Sequence, residues 1–228
     1  TLLGTRLPRK GAGYLATLSV LVSFIAALTA FSWLLEDPPE ERSHTSTLWT
    51  WLTAGDFEVG LSILLDPVSA LMMLIVSGVG FLIVAYSIGY MDGSDEERRF
   101  FAYMSLFVFS MLLLVQGGNF LMLLVGWGLV GLASYLLIGY DQHRPAAIAA
   151  AKKAFIMNAF GDATMALALF LLIQRVGTLE YGAVFERVEH HRLVIANQRH
   201  ELAALAQREQ LIDHLARSRA AVDVVAEG

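Results

Sequence analysis

Residues 121–140, LMLLVGWGLVGLASYLLIGY, and residues 152–162, KKAFIMNAFGD, decide how this chain folds. The first is an uncharged apolar run long enough to cross a bilayer, since about 20 helical residues at about 1.5 Å each span a hydrocarbon core of about 30 Å. The intervening DQHRPAAIAAA (141–151) reads as a loop that passes into an Ala-rich first turn. The second stretch then enters another apolar run and carries an acid, Asp162, at hydrocarbon depth. An ionisable group there costs about 2.5–3.5 kcal/mol on insertion scales, so its presence points to function. The chemistry expected is ion or proton movement.

Composition agrees with a membrane protein. The chain has 228 residues, 56% hydrophobic and 16% charged, and no cysteine. That excludes disulfides, thiolate metal sites and iron–sulfur ligation, so any redox cofactor must sit on another chain. Five spans are predicted, near 13–35, 67–90, 100–115, 120–140 and 154–173, giving an all-α, polytopic transmembrane helix bundle. Residues 1–12 read as a basic loop after a helix cut at its start. Gln116-Gly117-Gly118-Asn119 is a tight uncharged turn that sets the third and fourth spans antiparallel. Asp66-Pro67 opens the second span, with the aspartate as helix cap and the proline in the first turn. The alternation of Phe57-Glu58-Val59-Gly60-Leu61-Ser62-Ile63 predicts a small extramembrane β-hairpin over residues 56–63.

Lys and Arg placement sets the orientation. If the N-terminal end is cytoplasmic, that side holds Arg6, Arg9, Lys10, Arg98, Arg99, Arg144, Lys152 and Lys153, and the opposite loops hold Arg42. The expected location is the cell inner (plasma) membrane, multi-pass. Residues 175–228 lack any apolar run that spans and read as a polar, solvated tail, with Leu202, Leu205, Ile212 and Leu215 at near-helical spacing.

At GW-x-LVGL-x-SYLLIG (126–139) and AAKKAFIMN-x-x-GD (150–162) the chain resembles the largest antiporter-like membrane subunit of respiratory complex I, subunit L of bacterial NADH-quinone oxidoreductase and mitochondrial subunit 5. Residues 48–91 and RRFFAYMSLFVFSMLLLV (98–115) resemble the same family in the same order, so the likeness covers about residues 1–188. The resemblance implies a many-helix proton-translocating subunit built from inverted repeats. It carries no cofactor of its own; NADH, FMN, iron–sulfur clusters and quinone would belong to partner subunits. The implied partners are other membrane subunits of complex I and the lipid bilayer, with no nucleic acid. The family is much longer, so the chain is expected to be a fragment cut at both ends, its tail after Val188 explained by a frameshift or partial gene.

The resemblance also assigns residues. The family carries a mid-membrane glutamate where this chain has Gly128, paired with a lysine two helices on. Gly128 is therefore expected to serve packing, forming a smooth face with Gly126 and Gly131. The family's matching acid makes Asp162 the first proton-path candidate, and Ala159 stands where the family usually has an arginine. Lys152 and Lys153 match the family in part, but lysines at a boundary also act as orientation signals. His143, in the loop, carries an imidazole that would permit a proton-entry role. Ser134 and Asn158 could hold water, and Trp127, Tyr135 and Met72-Met73 suit packing or lipid. Two rivals stand beside the complex I reading: a subunit of a multi-subunit sodium/proton antiporter, and a non-conducting membrane fragment.

Overall fold

The computed structural model describes residues 9–54, 57–94, 96–190 and 192. It divides into two units, Thr1–Tyr181 and Gly182–Gly228. In the first, helix α1 (Arg9–Glu36) leads to strands β1 (His44–Ala54) and β2 (Phe57–Leu65). Four helices follow: α2 (Pro67–Tyr90), α3 (Glu97–Val115), α4 (Phe120–Ile138) and α5 (Pro145–Val176). All five helices are long and apolar enough to cross a membrane. In the second unit, residues 182–190 are helical. The rest of the predicted tail, including Leu202 to Leu215, lies outside the described residues.

Helices α1, α2 and α3 pack on one another, α4 packs on α3, and α5 on α4. The first group surrounds a cluster of Ala16, Val20, Val84, Met91, Phe101 and Val108. Hydroxyls buried in these helices have no water to turn to, so they bond backward along their own helix. Ser87 donates to the Ile83 carbonyl at 2.8 Å and Ser110 to that of Leu106 at 2.7 Å. Asp66 caps α2 as expected: its carboxylate accepts from the Ser69 N–H at 2.7 Å, and Ser69 Oγ accepts from the Asp66 N–H at 2.8 Å.

Several boundaries differ from the sequence reading. Helix α1 begins at Arg9, so the predicted basic loop of residues 1–12 is helical over its last residues. Helix α5 begins at Pro145, because proline suits the first helical position and the following Ala-rich run has the highest helix propensity. The connection is thus only residues 139–144, and Lys152 and Lys153 stand two turns inside the helix. At its other end α5 runs to Val176, which places Arg175 beside Arg42 on the less basic side.

The hairpin is larger than expected, because β1 was not legible. Its pairing with β2 is interrupted by register shifts between Thr47 and Trp49 and between Thr50 and Leu52, and these bulges break the period-2 pattern. Strand β2 crosses the α3–α4 turn. Leu64 donates its N–H to the Gln116 carbonyl at 2.8 Å, and Gly118 donates to the Ser62 carbonyl at 2.9 Å. At the centre is Asn119, fully buried. Its Oδ1 accepts from the Met122 N–H and caps α4. Its Nδ2 donates to the Gly60 carbonyl at 2.8 Å, Ser62 Oγ at 3.0 Å and Glu180 Oε1 at 3.2 Å. One side chain therefore ties the hairpin, the α3–α4 turn and the segment leaving α5. Asn119→Ala is expected to cost about 2–4 kcal/mol, because buried polar partners lose their hydrogen bonds at once. A shift in the midpoint of detergent-induced unfolding checks it; a shift equivalent to less than about 0.5 kcal/mol would mean water replaces the amide without loss.

Candidate proton-path site in the α4–α5 seam

Helices α4 and α5 run antiparallel, and their contacts form regular rungs. An added Cβ on Gly139 would stand 3.1 Å from Ala151 Cβ. The Tyr135 and Phe155 rings lie 5.3 Å apart. An added Cβ on Gly131 would stand 3.5 Å from Asn158 Nδ2. Each step descends α4 by four residues while climbing α5 by three or four, the spacing of one helix face. Continued by the same steps, the register brings Trp127 to the level of Gly161 and Asp162, with Gly128 one residue away along α4.

Asp162 lies about 13 Å along α5 from Lys153 and about 20 Å from Arg175, taking about 1.5 Å per residue. Its Oδ1 is buried and has no hydrogen-bond partner among the described residues. At Gly128, near the same level of α4, an added Cβ would meet nothing within 4 Å. At about one depth, then, α5 carries an orphaned carboxylate oxygen and α4 a glycine with open space around it. Asn158, one turn before Asp162, is half-buried and supplies an amide to the same seam.

This corrects the reading of Gly126, Gly128 and Gly131 as one packing face. A Cβ on Gly126 would stand 2.6 Å from Leu114 Cα, so Gly126 seats α4 against α3. Gly131 faces α5, and Gly128 touches neither within 4 Å. Successive helical residues turn about 100°, so positions 126 and 128 diverge by about 200°.

At the basic end, the seam opens into a cavity of about 380 Å³ lined by Tyr103, Tyr135, Leu136, Gly139, Gln142, Ile148 and Ala151. Tyr103 and Gln142 carried no signal in the sequence, because nothing local ties α3 to the α4–α5 connection. Lys152 and Lys153 are exposed and too far along α5 to pair with Asp162. The seam does not bring the two lysines and the acid together. His143 is exposed in the connection, where its N–H donates to Asp141 Oδ1 at 3.2 Å. Arg99 braces the same end, paired with Glu96 at 2.8 Å and donating to the Tyr140 carbonyl at 3.1 Å. No cluster of three metal-ligating side chains occurs among the described residues.

Five helices long and apolar enough to cross a membrane, packed in sequence, define a polytopic integral membrane protein. Residues 51–101 match the family model for the complex I chain 5 N-terminus, and residues 117–206 match that for the transmembrane region of NADH:quinone oxidoreductases and Mrp antiporters. Over those residues the chain belongs to the antiporter-like membrane-subunit family of complex I. It is 47% identical over 175 residues to NADH-quinone oxidoreductase subunit L of Mycobacterium tuberculosis, covering 74% of this chain and 28% of that protein. The Escherichia coli subunit L is 42% identical over 170 residues, covering 75% of this chain and 28% of that protein. The chain thus spans under a third of the length of these relatives.

Solved structures share the fold. A chain of the archaeal membrane-bound sulfane sulfur reductase superposes with TM-score 0.67 at 16% identity, covering 80% of this chain and 36% of that one. A chain of the Mrp complex from Dietzia sp. DQ12-45-1b superposes with TM-score 0.57 at 23% identity, covering 77% and 20%.

Proposed function

We propose that this chain supplies part of a proton path in the membrane arm of an NADH-quinone oxidoreductase, with Asp162 as its titrating group. The observation that carries the reading is the buried Asp162 oxygen without a hydrogen-bond partner, with open space at Gly128 near the same level of α4. A carboxyl without a fixed partner can exchange a proton with water, and the cavity at Tyr103, Tyr135 and Gln142 gives water an approach from the basic end. His143 at the mouth, and Lys152 and Lys153 on the exposed side of α5, would serve entry. None of the three is placed to hold the proton at depth. The chain itself would bind no cofactor; NADH oxidation, FMN, iron–sulfur clusters and quinone reduction belong to partner subunits, and its own partners are other membrane subunits of the complex.

The test uses a chimera in which residues 51–176 replace the matched stretch of the Escherichia coli relative, carrying Gly128→Glu to restore the glutamate the resemblance implies. In inside-out membrane vesicles, Asp162→Asn in that chimera is expected to lower the proton gradient per NADH oxidised by at least about tenfold, as loss of a group required for proton transfer does. An unchanged gradient would remove Asp162 from the path. The Mrp antiporter relationship leaves sodium as the other candidate ion, and a gradient that depends on sodium would favour it.

Orientation follows from the positive charges. With Arg175 counted beside Arg42, the asymmetry still supports an N-terminal end on the cytoplasmic side of a bacterial plasma membrane. A cysteine at Ser43 is therefore expected to react with an impermeant thiol reagent outside intact cells, and one at Gln142 is not. Reaction in the reverse pattern would invert the topology.

A further inference from the structure

Asn158 is a second polar group in the α4–α5 seam that the packing of the two helices leaves unused. Hydroxyls in the spans bond backward along their own helix, as Thr164 does to the Phe160 carbonyl at 2.8 Å. The Asn158 amide makes no such bond among the described residues. It lies against Gly131 of α4, where an added Cβ would stand 3.5 Å from Asn158 Nδ2 and 3.7 Å from its Cβ. The glycine brings the α4 backbone up to the amide, yet the amide takes no partner from it.

The place of Asn158 along the seam gives the amide its meaning. Toward the basic end lie the Tyr135–Phe155 rung and the cavity shared by Tyr103, Tyr135 and Gln142. In the other direction Asp162 follows one turn later on the same face of α5, about 6 Å along the axis, with its Oδ1 buried and unbonded. Between the Tyr135 rung and Asp162, residues 128–133 of α4 read Gly-Leu-Val-Gly-Leu-Ala, and residues 156–161 of α5 read Ile-Met-Asn-Ala-Phe-Gly. Asn158 is the one side chain in that interval with a hydrogen-bond donor or acceptor. A water in an otherwise apolar seam needs roughly two to four polar partners, so the amide decides where it can stand.

We propose that Asn158 is a positioning residue of the proton path: its amide holds the water that carries protons between the Tyr135 cavity and the Asp162 carboxyl. The inference rests on Asp162 as the titrating group. The amide suits the task, because its N–H donors and its carbonyl acceptor hold a water in either orientation while it takes up no proton itself. The bridging water gives one proton to Asp162 Oδ1 and takes one from the water behind it, so each O–H bond broken is matched by one formed.

The test uses the chimera described above, with Gly128→Glu, in inside-out membrane vesicles. Asn158→Leu keeps the bulk of the side chain and removes its hydrogen bonds, and leucine favours insertion, so assembly on a native gel is expected to hold. The initial rate of gradient formation is expected to fall about tenfold, the effect of one lost hydrogen bond on a transfer step. Asn158→Ser, which restores a donor and an acceptor, is expected to recover most of it. Deuterium oxide is expected to slow Asn158→Leu by a larger factor than the parent, because proton delivery has become the slow step, and lost packing would not produce that change. If Asn158→Leu fails to assemble, Asn158→Val, smaller and equally unable to bond, takes its place with the same expectation. A gradient that survives Asn158→Leu but not Asp162→Asn would overturn the role of Asn158 and leave the path standing. A loss that Asn158→Ser does not relieve, without the larger isotope effect, would make Asn158 a packing residue and overturn it equally. A gradient indifferent to Asp162→Asn would remove the path and this role with it.

Discussion

Gly126→Val is expected to unfold the α3–α4 pair, lowering stability by about 3 kcal/mol or more, while Gly128→Val two residues away changes it by less than about 0.5 kcal/mol. A Cβ at position 126 would stand 2.6 Å from Leu114 Cα and 2.8 Å from its nitrogen. Those are backbone atoms with no rotamer to yield, so the helices must separate. Separation opens the contact on both sides, and packing at close approach is what holds membrane helices together, since lipid is as apolar as leucine. At position 128 the added atoms meet nothing within 4 Å. Both changes replace glycine by valine in the same helix, so their helix-propensity contributions cancel in the comparison. Detergent-induced unfolding followed by circular dichroism measures the difference. Equal effects would mean that α4 is rotated from the orientation that seats Gly126 against α3.

The contrast between these two glycines also shows which parts of the structure the sequence could convey. The five spans were legible because burial in lipid demands long apolar runs, and that demand is local. The Asp66 cap was legible for the same reason, its partner Ser69 being three residues away. The roles of Gly126, Gly128 and Gly131 were misread by treating small residues as one surface. Helical angles alone separate positions 126 and 128, although which neighbour each faces is set by tertiary contact. The start of α5 at Pro145 was equally available in the sequence, from proline at the first helical position and the alanines after it. Asn119 is different in kind. Its amide partners, Gly60, Ser62 and Glu180, stand about sixty residues away on either side, and no periodicity links positions at that distance. The cavity residues Tyr103 and Gln142 were hidden for the same reason. The resemblance named Asp162 as a candidate. That its oxygen is orphaned needed the packed structure.

The second large effect is a loss of transport, and it follows from what the seam lacks. Asp162 is the one acid in the middle of α5, and near its level α4 carries Gly128, which can neither hold nor release a proton. The nearest cations on its own helix, Lys152 and Lys153, are exposed and about 13–15 Å along the axis, beyond direct pairing. A proton that enters by the Tyr135 cavity and reaches Asp162 has no second titratable group at that depth in the five spans to receive it. The chain reconstituted alone in vesicles is therefore expected neither to build nor to dissipate a pH gradient beyond the lipid background. Gly128→Glu in the isolated chain would add a second carboxyl near the level of Asp162. That restores a proton holder but no cation to drive its release, so the variant is also expected to be silent. In the chimera above, the surrounding relative supplies the rest of the path, and the same substitution is expected to be active. A gradient collapse by the isolated chain that disappears in Asp162→Asn would show that this stretch conducts by itself, with water in the seam doing what the missing groups were assigned.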